Sequence, residues 1–192
     1  MSTTTKRWTS ADLERLPDDG TRYEIIDGEL FMSKSPHVFH LRVCSELHKV
    51  LSIWNDIANS GEVFEGAGLI FAPDDDVIPD LIWISNERIK TALRADGHIY
   101  DAAELVIEVL SPGSANERRD RVAKLDLYSR RGVDEYWIVS WPTRSIDIFR
   151  RVGYKLTLTA TLRDDDVIES PLLTQFSCPV ADIFRMIPIE YD

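Results

Sequence analysis

The stretch Glu104-Leu105-Val106-Ile107-Glu108-Val109-Leu110-Ser111-Pro112 constrains this chain more than any other. Leu105, Val106, Ile107, Val109 and Leu110 make an apolar run interrupted only by Glu108, the pattern of a strand covered on both faces. Such a strand belongs inside a sheet with layers above and below it. An unpaired carboxylate buried there costs several kcal/mol, so Glu108 requires a cation, a donor network or a bound metal. A second run, Val77-Ile78-Pro79-Asp80-Leu81-Ile82-Trp83-Ile84-Ser85, carries Asp80 at its head. The preceding proline holds the chain extended there. Asp80 beside Glu108 makes a paired-carboxylate site for a hard cation, Mg2+ or Mn2+, with the Val109 backbone carbonyl as a third oxygen ligand. The competing reading leaves Asp80 at a surface strand end and pairs Glu108 with an arginine.

At 192 residues with 44% apolar side chains, the chain is read as one domain over residues 9–192, after a disordered N-terminus over residues 1–8. No run approaches the roughly 18 apolar residues of a membrane span. Met1 to Arg7 lacks the apolar stretch of a signal peptide. Cys44 and Cys178 are too far apart in sequence for metal-ligand spacing or a disulfide framework, which favours a reducing cytoplasm. The net charge of -11 speaks against a protein that coats nucleic acid. The charge is uneven, however: Ser114 to Arg163 carries 11 Lys+Arg against 6 Asp+Glu. A basic face beside an acidic site suits a metal-dependent nuclease, and ordinary solvated charge accounts for it equally well.

Thr9 to Leu16 reads as a short helix with Ser10 as N-cap and Pro17 as its stop. Tyr23–Ile26 and Glu29–Met32 flank an Asp27-Gly28 hairpin turn. Val38, Leu41, Val43, Leu47, Val50, Leu51 and Trp54 recur at helical spacing between Pro36 and Ala58. Strands are expected over Glu62–Phe71, Asp80–Ser85, Glu104–Leu110 and Glu135–Val139, with a turn at Pro73–Asp76. Asn116 to Arg131 reads as a second helix stopped by Gly132. Ser145–Arg150 and Tyr154–Thr159 pair as a hairpin, and a strand and short helix near Val180–Met186 close the chain. Helices beside a mixed sheet give an α/β (α+β) architecture.

On the second helix Asp120, Lys124 and Tyr128 share one face at i, i+4 and i+8. Lys124 aimed at Glu108 can stabilise charge developing on a phosphoryl group; an ordinary Asp-Lys helix pair is the plainer alternative. Tyr23-Glu24-Ile25-Ile26-Asp27-Gly28-Glu29-Leu30, Pro79-Asp80-Leu81, Glu104 to Pro112, then Asp120, Lys124, Tyr128 and Glu135-Tyr136-Trp137 occur in that order. Together they closely resemble the Uma-two family of restriction endonucleases, within the PD-(D/E)XK nuclease superfamily, over about residues 9 to 186. The resemblance implies a restriction-endonuclease-like fold, a mixed central β-sheet flanked by helices with the site at one edge. It matches Asp80 and Glu108 to the acidic metal ligands. It would place a lysine two residues after Glu108, where this chain has Leu110, and makes Lys124 the substitute.

The expected function is metal-dependent cleavage of DNA, with RNA left open as substrate and a homodimer favoured. The alternative is a catalytically silent nuclease-fold protein serving interaction or DNA binding. Glu24 and Glu29, placed near the site by the resemblance, are supporting candidates; so is His40, with His37 nearby, and Glu46 is a weaker one. Asp120 is expected to orient Lys124, while Tyr128, Trp83 and Trp137 are read as core or support. Asp74-Asp75-Asp76 and Asp164-Asp165-Asp166 lack the alternating spacing of a calcium loop and read as solvated turns. Ser111-Pro112-Gly113-Ser114 lacks the strand–turn–helix setting of a nucleophilic serine.

Overall fold

The structure is a computed structural model and describes residues 6–33, 35–111, 113 and 117–187. One helical turn, α1 (Ser10–Leu13), precedes a hairpin of β1 (Arg22–Ile26) and β2 (Glu29–Ser33). The long helix α2 (Val38–Ala58) leads into β3 (Gly61–Glu65), β4 (Leu69–Ala72), β5 (Asp75–Val77) and β6 (Leu81–Ser85). Then come α3 (Asn86–Ala92), β7 (Leu105–Val109) and a π-helical segment (Arg119–Lys124) continuous with α4 (Leu125–Arg131). The remaining elements are β8 (Glu135–Ser140), β9 (Ser145–Val152), β10 (Lys155–Leu162), β11 (Val167–Glu169), β12 (Ser177–Pro179) and α5 (Val180–Phe184).

Six strands in the order β10-β9-β8-β7-β6-β3 form the central sheet, mixed because β7 and β8 run parallel while the other pairs are antiparallel. A four-stranded antiparallel sheet, β2-β1-β5-β4, and the pair β11-β12 complete the strands. Side-chain alternation splits the core in two. Leu81, Trp83, Leu105, Ile107, Trp137 and Val139 pack with Val43, Leu47 and Leu51 of α2 and Phe184 of α5. Ile82, Ile84, Val106, Tyr136 and Ile138 instead meet Leu127 and Tyr128 of α4, together with Ile26, Leu69 and Val77 of the smaller sheet. Both faces of β7 are therefore covered, and all five of its residues are buried, Glu108 among them.

Several boundaries differ from the sequence reading. The strand expected over Glu62–Phe71 breaks at Gly66, whose φ of +66° lets the backbone turn, so β3 and β4 join different sheets. The turn expected at Pro73–Asp76 is confined to Pro73 and Asp74. Asp75 enters β5 and is buried against Arg130 and Arg131 rather than solvated. The cap of α1 is Thr9, not Ser10: Thr9 donates its N–H and hydroxyl to Asp12 Oδ2 at 3.0 and 2.9 Å. Helix α3 follows β6 directly where the sequence reading places no element; Ser85 Oγ caps it by accepting the Arg88 N–H at 3.1 Å. Residues 1–5 of the expected disordered N-terminus, Asn116 of the second helix, and Pro112 and Ser114 lie outside the described residues. Trp8, by contrast, donates its N–H to the Gly28 carbonyl at 2.8 Å. Among the described residues, no helix is long and apolar enough to cross a membrane.

Candidate active site

Asp80 and Glu108 stand opposite one another just beyond the end of the β6–β7 ladder. The last paired residues are Leu81 and Ile107, and one step further along each strand stand Asp80 and Glu108. Pro79, with no N–H to offer, ends the pairing and leaves this edge open. Asp80 Oδ2 accepts the Val109 N–H at 2.8 Å. Its Oδ1 lies 3.2 Å from Arg22 Nη1 and 3.3 Å from His40 Nε2. Burial pushes the Asp80 carboxyl up, yet the hydrogen bond and charge of His40, the Lys124 ammonium and the Val109 N–H outweigh it. The net result holds Asp80 below the ordinary aspartate value.

Glu108 Oε1 accepts from Lys124 Nζ and from the Tyr128 hydroxyl, each at 2.8 Å. The i, i+4 spacing of those two donors thus converges on one oxygen, and Oε2 takes neither. Lys124 Nζ also stands 2.8 Å from Glu24 Oε1, which accepts the Ile78 N–H at 2.9 Å. Burial raises Glu108 to about 8; Lys124 opposes the rise, and the charges of Asp80, Asp120 and Glu24 add to it. Burial alone would favour loss of the Lys124 proton, but Glu108, Glu24 and Asp120 hold it above the ordinary lysine value. Lys124 therefore remains an ammonium inside the protein.

The helix carrying Lys124 is widened into a π turn over Arg119–Lys124, a distortion that concentrates at functional sites. Asp120, buried on that turn, pairs with Arg119 Nε at 2.9 Å. Burial raises the Asp120 carboxyl, against the pull of Lys124 and Arg119. Arg119 in turn donates to Ser33 Oγ at 2.7 Å and approaches Glu24 Oε2 at 3.6 Å. A cavity of about 710 Å³ opens onto this cluster, with Arg22, His40, Asp80, Glu108, Arg119 and Lys124 in its wall. The wall thus sets carboxylates able to hold a cation beside guanidinium and ammonium groups able to meet an anion.

Glu24 lines this cavity, whereas Glu29 sits exposed at the turn end of β2 opposite Ile26 and away from it. Glu46 is buried on α2 but engaged by Arg42, Lys49 and Arg185 at 3.1, 2.7 and 3.0 Å. His37 accepts the Phe39 N–H as the α2 cap and stacks on Trp141 with centroids 5.1 Å apart. Trp83 and Trp137 are core aromatics. Asp164 pairs with Arg144 at 2.6 Å. Sequence reasoning did not single out Arg22 or Arg119. Arg22 lies two residues before Glu24 on β1 and so shares its face, the one signal that pointed to it. Nothing local marked Arg119 beyond its place next to Asp120.

Two carboxylates and a strand carbonyl are the hard oxygen set that Mg2+ or Mn2+ takes, so the residues present fit such an ion. The Val109 carbonyl leaves β7 on the same side as its N–H, the side facing Asp80.

The Uma2 family, described as "Putative restriction endonuclease", matches residues 10–181, and the chain belongs to that family. Among solved structures, a "putative nuclease belonging to DUF820" from Anabaena variabilis superposes with a TM-score of 0.74 at 17% identity, over 94% of this chain and 99% of that one. The two share a fold, the central mixed sheet flanked by helices. The type IIG restriction endonuclease BpuSI matches over 78% of this chain and 15% of its own, with a TM-score of 0.43 and 15% identity. No curated protein matches.

Proposed function

We propose that this Uma2-family chain is a Mg2+- or Mn2+-dependent endonuclease that hydrolyses phosphodiester bonds in DNA. The observation that carries the reading is one cavity wall holding Asp80, Glu108 and a buried, charged Lys124. A divalent cation held by Asp80, Glu108 and the Val109 carbonyl would polarise the phosphodiester and lower the pKa of a bound water. Lys124, fixed by Glu24 and Glu108, offers positive charge where negative charge develops on the phosphoryl oxygens. Arg22 and Arg119 meet flanking phosphates. His40 positions Asp80, and Asp120 acts through Arg119. RNA is the second substrate to test. Cutting both strands of a duplex with one small site favours a homodimer, with the β9–β10 hairpin as its pairing surface and the cytoplasm as its compartment.

One observation favours the silent alternative, an interaction or DNA-binding module. Arg22 and His40 already contact Asp80, and Lys124 is already shared between Glu24 and Glu108, so the fold gives its carboxylates partners unaided. Calorimetric titration of Mn2+ separates the two, run on wild type, Asp80→Ala and Glu108→Ala beside cleavage of plasmid DNA. Binding and cleavage lost in both variants support the nuclease. Wild-type protein that folds yet neither binds Mn2+ nor cuts DNA in its presence overturns it.

A further inference from the structure

We infer that His40, Cys44 and Asp80 form a second cation site, sharing Asp80 with the first and selective for thiophilic divalent ions such as Zn2+ or Cd2+. His40 and Cys44 are i and i+4 on α2 and share one helix face. Asp80 faces them from the head of β6, its Oδ1 already 3.3 Å from His40 Nε2. One ligand atom from each of the three residues lies within 4.8 Å of the others, and all three residues are buried. All three also line the 710 Å³ cavity, which gives an ion a route inwards.

Around a tetrahedral zinc-like ion, ligand atoms sit about 3.5 Å apart, so a contraction of about 1 Å closes this set. Three protein ligands leave a fourth position towards the cavity. The donors are nitrogen, sulfur and oxygen, and sulfur selects Zn2+ or Cd2+ over Mg2+, the reverse of the preference of the Asp80–Glu108 pair. On binding, the Cys44 thiol gives its proton to solvent in the cavity as the metal–sulfur bond forms. The resident competitor is Arg22, whose side chain is 40% exposed and can swing into solvent from Asp80 Oδ1. Because Asp80 belongs to both sites, a thiophilic ion withdraws it from the hard-ion pair. That inhibitory consequence rests on the nuclease reading; the site itself does not.

The test titrates metal-stripped protein with Cd2+ and follows the ultraviolet thiolate-to-cadmium charge-transfer absorption. Wild type is compared with Cys44→Ser, with His40→Gln, and with Cys178→Ser as the control at the other buried thiol. Wild type and Cys178→Ser should develop the band to saturation at one ion per chain. Cys44→Ser should not, and His40→Gln should bind Cd2+ about tenfold more weakly or worse. No band in wild type, or a band that persists in folded Cys44→Ser, overturns the inference. If Cys44→Ser does not fold, His40→Gln decides, because it keeps the thiol: unchanged Cd2+ affinity overturns the site. Mn2+ binding is measured separately on wild type, so failure of the nuclease reading and failure of this site give different results.

Discussion

Lys124 Nζ stands 2.8 Å from Glu108 Oε1 although 16 residues separate them in the chain. The position two residues after Glu108 is Leu110, which lies on the same face of the strand and packs in the apolar cluster there. The ammonium therefore reaches the carboxylate from the helix above the sheet, and the strand keeps its apolar contact. Tyr128 completes the arrangement by donating to the same oxygen.

Lys124→Met leaves Glu24 and Glu108 buried without their shared cation. Breaking a buried pair in this way should remove about 3–5 kcal/mol of stability, read as a lower urea midpoint. The deficit should be largest at alkaline pH and shrink as pH falls through about 8, where Glu108 takes up a proton and no longer needs the cation. A deficit independent of pH counts against this account.

Glu108 is raised to about 8, so below that value it carries a proton that a cation must displace. Metal binding needs the ionised form, which grows as pH rises. Mn2+ affinity should therefore strengthen by up to about tenfold per pH unit below pH 8 and level off above it. Calorimetry in buffers of different ionisation heat should register proton release. Affinity that is flat from weakly acidic to weakly alkaline pH contradicts the prediction.

Arg22→Ala removes the guanidinium from Asp80 Oδ1. The side chain is partly exposed, so the contact is worth at most about 1 kcal/mol. Mn2+ affinity should rise by about fivefold or less, while DNA affinity falls and its salt dependence becomes shallower. Weaker Mn2+ binding in this variant would show that Arg22 supports the cation site instead of competing for it.

Asp75→Ala takes the buried carboxylate from Arg130, which keeps Asp27, and from Arg131, and removes the oxygen that accepts the Asp27 N–H at 2.8 Å. These contacts tie α4 to the smaller sheet. Losing charge-assisted hydrogen bonds of this kind should cost about 2–3 kcal/mol, measured by urea unfolding. Asp75 lies outside the cavity wall, so Mn2+ affinity at temperatures where the variant remains folded should stay as in wild type.

The strands β6, β7 and β8 were legible as short apolar runs, and the helix α2 because it is long enough to show its own periodicity. Lys124 and Tyr128 were legible as one face, since helical spacing alone brings them together. Helix α3 escaped because seven residues, only one of them buried, carry too little periodicity. Asp75 escaped because three consecutive aspartates look solvated until two arginines from a distant helix arrive to bury the middle one. Cys44 gave no sign of ligand neighbours, since its partner Asp80 comes from another element.

What the sequence determined by itself is the local grammar: a strand apolar on both faces, a carboxylate inside it that demands a partner, and a helix face bearing a lysine. Period and burial cost are properties of neighbouring residues and need no fold to be read. Only the tertiary structure decided which groups answer that demand. The convergence of Glu24, His40, Asp80, Glu108, Arg119 and Lys124 on one cavity depends on sheet register, on a π turn and on a smaller sheet that shares an apolar cluster with the central one. Those are long-range relationships, and charges placed by them interact through space at distances that no sequence separation encodes.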